Sequence, residues 1–289
     1  MIVGGTNMEK VIVHKRKRDY TKLNLTYNFI FQQVMKNKYL AKIFLEKLLK
    51  IKIKKIVYLF DEMTQSANIS SKDTRYDILV VDEKNRIYDI EMENRKSKSL
   101  TLRASYYLDM LGVTAINSGD TYTEVPYRTV IFVTNFDPFG YDRCLYCGDV
   151  HRCKDISNLV LEDHRRDIYL NLHGHNGWKE LAPEIQDFIL LAKDTTRETA
   201  QKLKTKFGRK LFEQVELVRN DGDRRRKCMG MQSDYREDMR KSENRGINRG
   251  INNTLKIQKM YKEGATKQDI SKKTGVSVRS ISKIVEVLE

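Results

Sequence analysis

Apolar residues recur at two spacings along this 289-residue chain. Between Tyr20 and Ile56 the spacing is helical. Phe31, Val34 and Met35 recur, then Ile43, Phe44, Leu48 and Leu49, with lysines filling much of the rest. From Ile56 the period shortens. IVYLFDE (56–62) reads as a strand, and RYDILVV (75–81) and RIYDIEM (86–92) read as two more joined by a tight turn. LTLRASYYLDMLGVTAI (100–116) returns to helical spacing, with Leu102, Tyr106, Met110 and Val113 along one side. YRTVIFVTNFDPF (127–139) reads as a buried strand ending at Asp137-Pro138, and DIYLNLHG (167–174) as another stopped by Gly174. Helices resume after Pro183 with EIQDFILLAK and run to 219. This order predicts an α/β sandwich whose central strands are apolar on both faces.

Past residue 220 the pattern changes again. In REDMRKSENRGINRGINNTLKI, Gly246 and Gly250 stand four apart, as do Glu243, Ile247, Ile251 and Leu255. A four-residue period lines one side of a helix, yet Gly and Asn weaken helices, so a flexible linker fits equally well. Residues 220–255 therefore read as a connector between a main domain, 1–219, and a C-terminal segment, 256–289. In that segment Thr266 can cap a helix, with Asp269 three residues on. Gly275 makes a turn and Ser277 caps a second helix. Ile270 is placed inward, with Val278, Ile281, Ile284 and Leu288 as the inner face of the second helix. The pattern resembles a helix-turn-helix, whose second helix enters the major groove. Ser277, Arg279, Ser280 and Lys283 are then the residues facing DNA. The alternative is a helical hairpin that mediates assembly.

Composition sharpens this picture. The chain is 40% hydrophobic and 32% charged, which is a globular composition. Its net charge of +15 is uneven. Residues 1–56 carry 14 Lys/Arg against 3 Asp/Glu, residues 216–289 carry 18 against 11, and the middle is slightly acidic. Basic ends around an acidic centre suit a protein that grips a polyanion; the competing reading is a lysine-rich composition with no such partner behind it. No apolar run approaches a membrane span, and the first twenty residues lack the apolar stretch of a signal peptide. Four cysteines without a disulfide framework point to a reducing compartment, the cytoplasm. Cys144, Cys147 and Cys153 flank His151, but the spacing after the first CxxC does not follow a common zinc pattern. Free thiols are expected rather than zinc.

The two middle strands collect carboxylates: Asp77 on the first, and Asp89, Glu91 and Glu93 on one face of the second. Strand interiors are costly places for charge unless it is paired or bound to a metal. A three-residue loop, EKN, pairs Asp82 with Arg86 and sets Asp77 opposite Glu91; a four-residue loop sets Asp77 opposite Ile90. In the first register two carboxylates stand close and repel, and a divalent cation removes the conflict. The competing reading is a solvated face with the acids paired to Arg75, Arg86 or Arg95, and Asp89 is assigned to that arrangement.

An Asp on one strand, Glu-x-x on the next and then a helix resemble the PD-(D/E)XK nucleases. More closely, the chain resembles the PD-(D/E)XK family transposases, or recombination-promoting nucleases. The resemblance rests on TYNFIFQQVM, RYDILVVDEKNRIYDIEME, LRASYYLDML, VIFVTNFDPFGYDRCLY, IYLNLHG, REDMRKSENRGINRG and the terminal DISKKTGVSVRSI. It implies an α/β restriction-endonuclease-like core with a small C-terminal helix-turn-helix, cleaving DNA with Mg²⁺ or Mn²⁺. Asp77 matches the motif's Asp and Glu91 its acidic partner, as catalytic and metal-holding residues. The third catalytic position, usually Lys in the superfamily and Gln in this family, is Glu93. Other departures are Tyr76 for the superfamily's Pro, and Asn28 and Gln32 where the first helix often shows Asp and Lys. In the following helix Arg103 and Tyr107 stand four apart, placed to meet a phosphate; Arg103 can equally pair with Glu91 or Glu93. Tyr106 is assigned to the core. The expected partner is DNA, with no membrane, and homo-oligomerisation is left open. The rival expectations are a DNA-binding protein keeping a nuclease fold without its chemistry, and a structural protein with solvated basic ends.

Overall fold

The structure, a computed structural model, describes residues 19–65, 74–148, 152–156 and 158–286. The helical spacing of residues 20–56 resolves into two helices, α1 (Asn28–Met35) and α2 (Lys38–Leu49). Asn37 divides them, its side chain accepting from Tyr39 N and Leu40 N to cap α2.

Six strands are seen among the described residues: β1 (Ile56–Gln65), β2 (Thr74–Asp82), β3 (Ile87–Glu93), β4 (Arg128–Thr134), β5 (Leu145–Gly148) and β6 (Arg165–Asn171). They form one mixed sheet in the order β1-β2-β3-β4-β6-β5. β1, β2 and β3 are antiparallel, β3, β4 and β6 are parallel, and β5 returns antiparallel along β6. The four-residue β5, LYCG, has no counterpart among the sequence expectations.

The helix α3 (Leu100–Ala115) links β3 to β4 and covers one face of the sheet. Its buried residues Leu100, Ala104, Leu108 and Leu111 meet Leu79, Val130, Phe132 and Tyr169. This corrects the face read from the sequence: Leu102 and Val113 are 72% and 61% exposed. Both sets of residues fit a 3.6 period, and the choice between them is made by the strands beneath. On the other face Ile78, Val80, Ile90, Met92, Ile131, Val133, Ile168 and Leu170 are all buried. There α1 packs on β2 and α2 on β1. Helices α4 (Pro183–Lys193) and α6 (Lys206–Asn220), with the short α5 (Arg197–Gln201) between them, pack against α1 and α2.

The β2–β3 turn is tight because Asn85 takes the left-handed conformation (φ 58°), which Asn tolerates. Asp82 organises it. Its Oδ1 accepts from Lys84 N and Arg86 N, and its Oδ2 accepts from Arg86 Nε and the Tyr88 hydroxyl. Asp82 N donates to Arg86 O at 3.2 Å, so the three-residue register is the one adopted.

The chain divides into compact units of residues 1–225 and 226–289. The four-residue repeat lies in one long helix, α7 (Gly222–Lys262), where a linker was the alternative. In the second unit α8 (Lys267–Thr274) and α9 (Val278–Val285) follow, capped by Thr266 and Ser277, with Gly275 left-handed at φ 70° between them. Ile257, Ile270, Ile281 and Val285 form its core. Val278 is 42% exposed, so Val285 takes the inward place expected of it; Leu288 lies outside the described residues. Among the described residues no helix is long and apolar enough to cross a membrane.

Candidate functional site

The β2–β3 pairing is regular from Val81↔Ile87 to Ile78↔Ile90. At the next step it changes character. Tyr76 and Leu79, three residues apart, both pack in the α3-facing cluster, which strict strand alternation forbids. Side chains take over the bonding there. Asp77 N donates to Glu91 Oε1 at 2.8 Å, and Met92 N donates to Asp77 Oδ2 at 3.0 Å. Each carboxylate thus accepts from the other's strand. Gln32 reaches in from α1, its Nε2 donating to Asp77 Oδ1 at 2.9 Å. Gln32 was visible in the sequence only as a departure from the family's first-helix pattern; the structure makes it a direct contact of the motif's Asp.

In the parallel register Asp89 aligns with Val130 and Glu91 with Phe132, so both acids point to the α3 side. Asp89 is fully buried, and neither of its oxygens receives a hydrogen bond from a donor. The group within hydrogen-bond reach is another carboxyl, Glu91. The solvated, arginine-paired role assigned to Asp89 is therefore overturned: Arg86 is taken by Asp82, and α3 covers the row. Nothing in the strand sequence separates a covered acid from an exposed one.

Burial, reinforced by the charges of the neighbouring acids, holds Asp89 and Glu91 well above the ordinary carboxyl range. Burial also raises Asp77, partly offset by the bonds from Met92 N and Gln32. Glu93, at the end of β3, is bound differently. Its Oε2 pairs with Arg103 Nη2, and its Oε1 accepts from Arg95 N. Arg103 lies over the Phe132 ring at 4.7 Å and near the Tyr107 ring at 5.9 Å. Burial opposes the Arg103 charge, and the Glu93 carboxylate outweighs it. Tyr107 packs against the core cluster, edge-on to Tyr76, with its hydroxyl 3.5 Å from Arg75 O. Burial and the acids raise its pKa, so it stays a proton-bearing donor at neutral pH. Of the two adjacent tyrosines on α3, Tyr107 rather than Tyr106 packs against the core cluster. Beyond the carboxylates a polar chain runs across the strand ends: Asn28, Asn94, Asn135 and His173 are linked at 2.9, 3.2 and 2.9 Å.

Among the described residues no three His, Cys, Asp or Glu side chains are already gathered as a cation cage, and the Asp77 and Glu91 oxygens are engaged with backbone N–H groups. The donor chemistry nevertheless fits a hard divalent cation. It offers carboxylate oxygens from two strands, one of them from a buried carboxyl that accepts no hydrogen bond from a donor. Of the cysteine cluster, Cys144 is buried with its thiol donating to Gly174 O, Cys147 is exposed, and His151 lies outside the described residues. In the second unit Ser277, Arg279, Ser280 and Lys283 are exposed on α9 and its cap; the Ser277 and Ser280 hydroxyls bond to each other at 2.9 Å.

Residues 23–245 match the family described as PD-(D/E)XK nuclease family transposase. No curated protein and no solved structure matches the chain. The matched span holds α1 with Gln32, the acidic hairpin, α3 and the rest of the sheet, and on that breadth the chain belongs to the PD-(D/E)XK nuclease family transposases.

Proposed function

We propose that this chain is a metal-dependent DNA endonuclease that hydrolyses phosphodiester bonds. The observation that carries the reading is the cluster of half-buried Asp77 with buried Asp89 and Glu91, in which Asp77 and Glu91 meet across the hairpin and neither Asp89 oxygen accepts from a donor. Asp77 and Glu91 would hold Mg²⁺ or Mn²⁺, which when bound polarises a phosphodiester and acidifies a bound water. Gln32 orients Asp77 through Oδ1 and keeps the other oxygen turned toward β3. Arg103 and Tyr107 supply donors for the scissile phosphate. When Arg103 turns to that phosphate, Glu93 Oε2 is released to orient the attacking water, a task that the amide oxygen of a Gln could also perform. The fold of α8 and α9 supports a helix-turn-helix role for the second unit, with Arg279 and Lys283 on phosphates and Ser277 and Ser280 near the groove.

A second reading is favoured by one observation: Glu93 stands where relatives carry Gln or Lys and is already occupied by Arg103. In that reading the fold binds DNA without cutting it. Nicking of supercoiled plasmid separates the two. The purified chain should nick with Mg²⁺ or Mn²⁺ and stop with chelator, and Asp77→Ala should lose about a hundredfold or more. A parent protein that binds plasmid but never nicks it under either metal sinks the nuclease reading.

A further inference from the structure

β1 is an outer strand, hydrogen-bonded to β2 alone among the described strands. It carries Tyr58 and Phe60 at 57% and 42% exposure, with Val57 beside them at 37%. Large apolar side chains on an open edge strand invite aggregation, and proteins normally replace them with charge. Here the two rings are arranged. Their centroids lie 5.9 Å apart with 15° between planes. A base inserted between them would need about 7 Å, twice the contact distance of about 3.5 Å. The near-parallel pair instead offers its outer faces for a base to stack upon.

The register ties this pair to the carboxylates. Phe60 stands opposite Leu79, and Leu79 opposite Asp89. Residues directly opposite share a face, so Phe60, and Tyr58 two residues back, lie on the face that carries Asp89 and Glu91. Two strand spacings, about 10 Å, separate Phe60 from Asp89 across the sheet. α3 packs on β4 and β6 and leaves this outer strip uncovered.

The chain leading into the strip is rich in lysine, while Asp61 and Glu62 follow Phe60 within β1. Residues 36–55 hold eight lysines and a single acid, Glu46. Lys52, Lys54 and Lys55 are exposed where the chain enters β1. Lys38 Nζ and Lys42 Nζ donate to Val57 O and Lys54 O at 3.3 and 3.2 Å. Those two bonds tie α2 to the start of β1.

We propose that the β1 edge binds a single-stranded polynucleotide, its bases stacked on the Tyr58–Phe60 pair and its phosphates held by the exposed lysines at the entry to β1, Lys52, Lys54 and Lys55. Stacking on exposed rings within a basic surface is how unpaired strands are held without sequence preference, whereas a duplex hides its base faces. The link from this platform to the carboxylates rests on the nuclease reading; the platform itself does not.

The test is fluorescence anisotropy with the full chain in chelator, using labelled oligothymidylate and oligouridylate of about 20 nucleotides, a span covering known site sizes, and a duplex of equal length. The double variant Tyr58→Ala/Phe60→Ala should lose about tenfold or more in affinity for single strands, keep the parent's duplex affinity and melt like the parent. Phe60→Trp should retain binding. A loss on both oligonucleotides, or on one alone, supports the platform and tells whether the ribose 2′-hydroxyl matters. Unchanged single-strand affinity, equal weakening of duplex and single strand, or a change in sedimentation without a change in binding would overturn it, the last assigning the strip to a second copy. The nuclease reading fails separately. A parent that binds oligothymidylate through the rings yet never nicks plasmid keeps the platform and loses the hydrolysis.

Discussion

Two aspartates are buried to almost the same degree, Asp187 at 1% exposure and Asp89 at 0%. Their surroundings are opposite. Asp187, on α4, sits at the start of α6 and accepts from Lys204 N with both oxygens, and from Thr205 N and Thr205 Oγ1 with Oδ2. A helix N-terminus is a favourable place for a carboxylate, and four bonds replace the water it gave up. Even its neighbour is fitted to it: a Cβ on Gly208 would fall 2.5 Å from Asp187 Oδ2. Asp89 receives no donor and faces other acids. Burial of an acid therefore says little about function, because Asp187 is a clasp between helices. The missing donors are what single out Asp89.

The contrast can be broken by matched substitutions. Asp187→Asn puts an amide N–H against donors and should cost about 1–3 kcal/mol, read as a lower urea midpoint with an unchanged slope. Asp89→Asn should have the opposite sign, raising the metal-free stability by about 1 kcal/mol, because it removes a buried acid that no donor satisfies. Equal losses for both would dissolve the distinction. The pH dependence follows. Asp89 and Glu91 hold protons more tightly when folded. Their contribution to stability is then complete below the ordinary carboxyl values of about 4 and is lost as pH rises through the raised folded values. The parent should weaken across that window relative to Asp89→Asn, and saturating Mg²⁺ should close the gap. A parent and variant that track each other at every pH would remove the electrostatic argument.

Glu93 gives a smaller effect, being paired where Asp89 is not. Glu93→Gln, the residue the family resemblance implies there, should leave nicking within about tenfold of the parent, the scale of one orienting contact altered in part. Glu93→Ala should fall further while the melting temperature holds; parental nicking by both variants would leave Glu93 as Arg103's partner and nothing more. Smallest is the second unit. Arg279→Ala with Lys283→Ala should weaken duplex binding a few-fold at physiological salt and lower the slope of log K against log salt by about 2. An unchanged slope favours the assembly reading of α8 and α9.

The apolar periods alone carried most of the fold: β2, β3, β4, β6 and α3 lie within a few residues of their expected ends. What they could not carry has particular causes. β5 is four residues long and half exposed, too short to show alternation. Two apolar stripes on α3 share its period, and only Val130, Phe132 and Tyr169 choose between them. The hairpin register hung on whether Asn85 would take a left-handed turn, which two loop lengths left open. Asp77 and Glu91 stand out in the sequence because the family resemblance points to them, and the structure brings their side chains together across the hairpin. Asp89 was not, since its role is set by the absence of donors, and an absence has no sequence signature.

The two sides of β3 also differ in how soon they can form. Its antiparallel partner β2 is joined by a three-residue loop, while its parallel partner β4 waits for residues 94–127, α3 included, to come into order. Hairpins close in about 1–10 μs, and parallel crossovers bear a larger loop-closure entropy before any contact rewards it. Asp77 and Glu91 are thus brought together by the most local pairing in the sheet, before α3 has sealed them from water. Their repulsion falls on an early, still hydrated step of folding, where solvent and salt can screen it. Only the later closure of α3 converts it into the buried conflict of the finished fold.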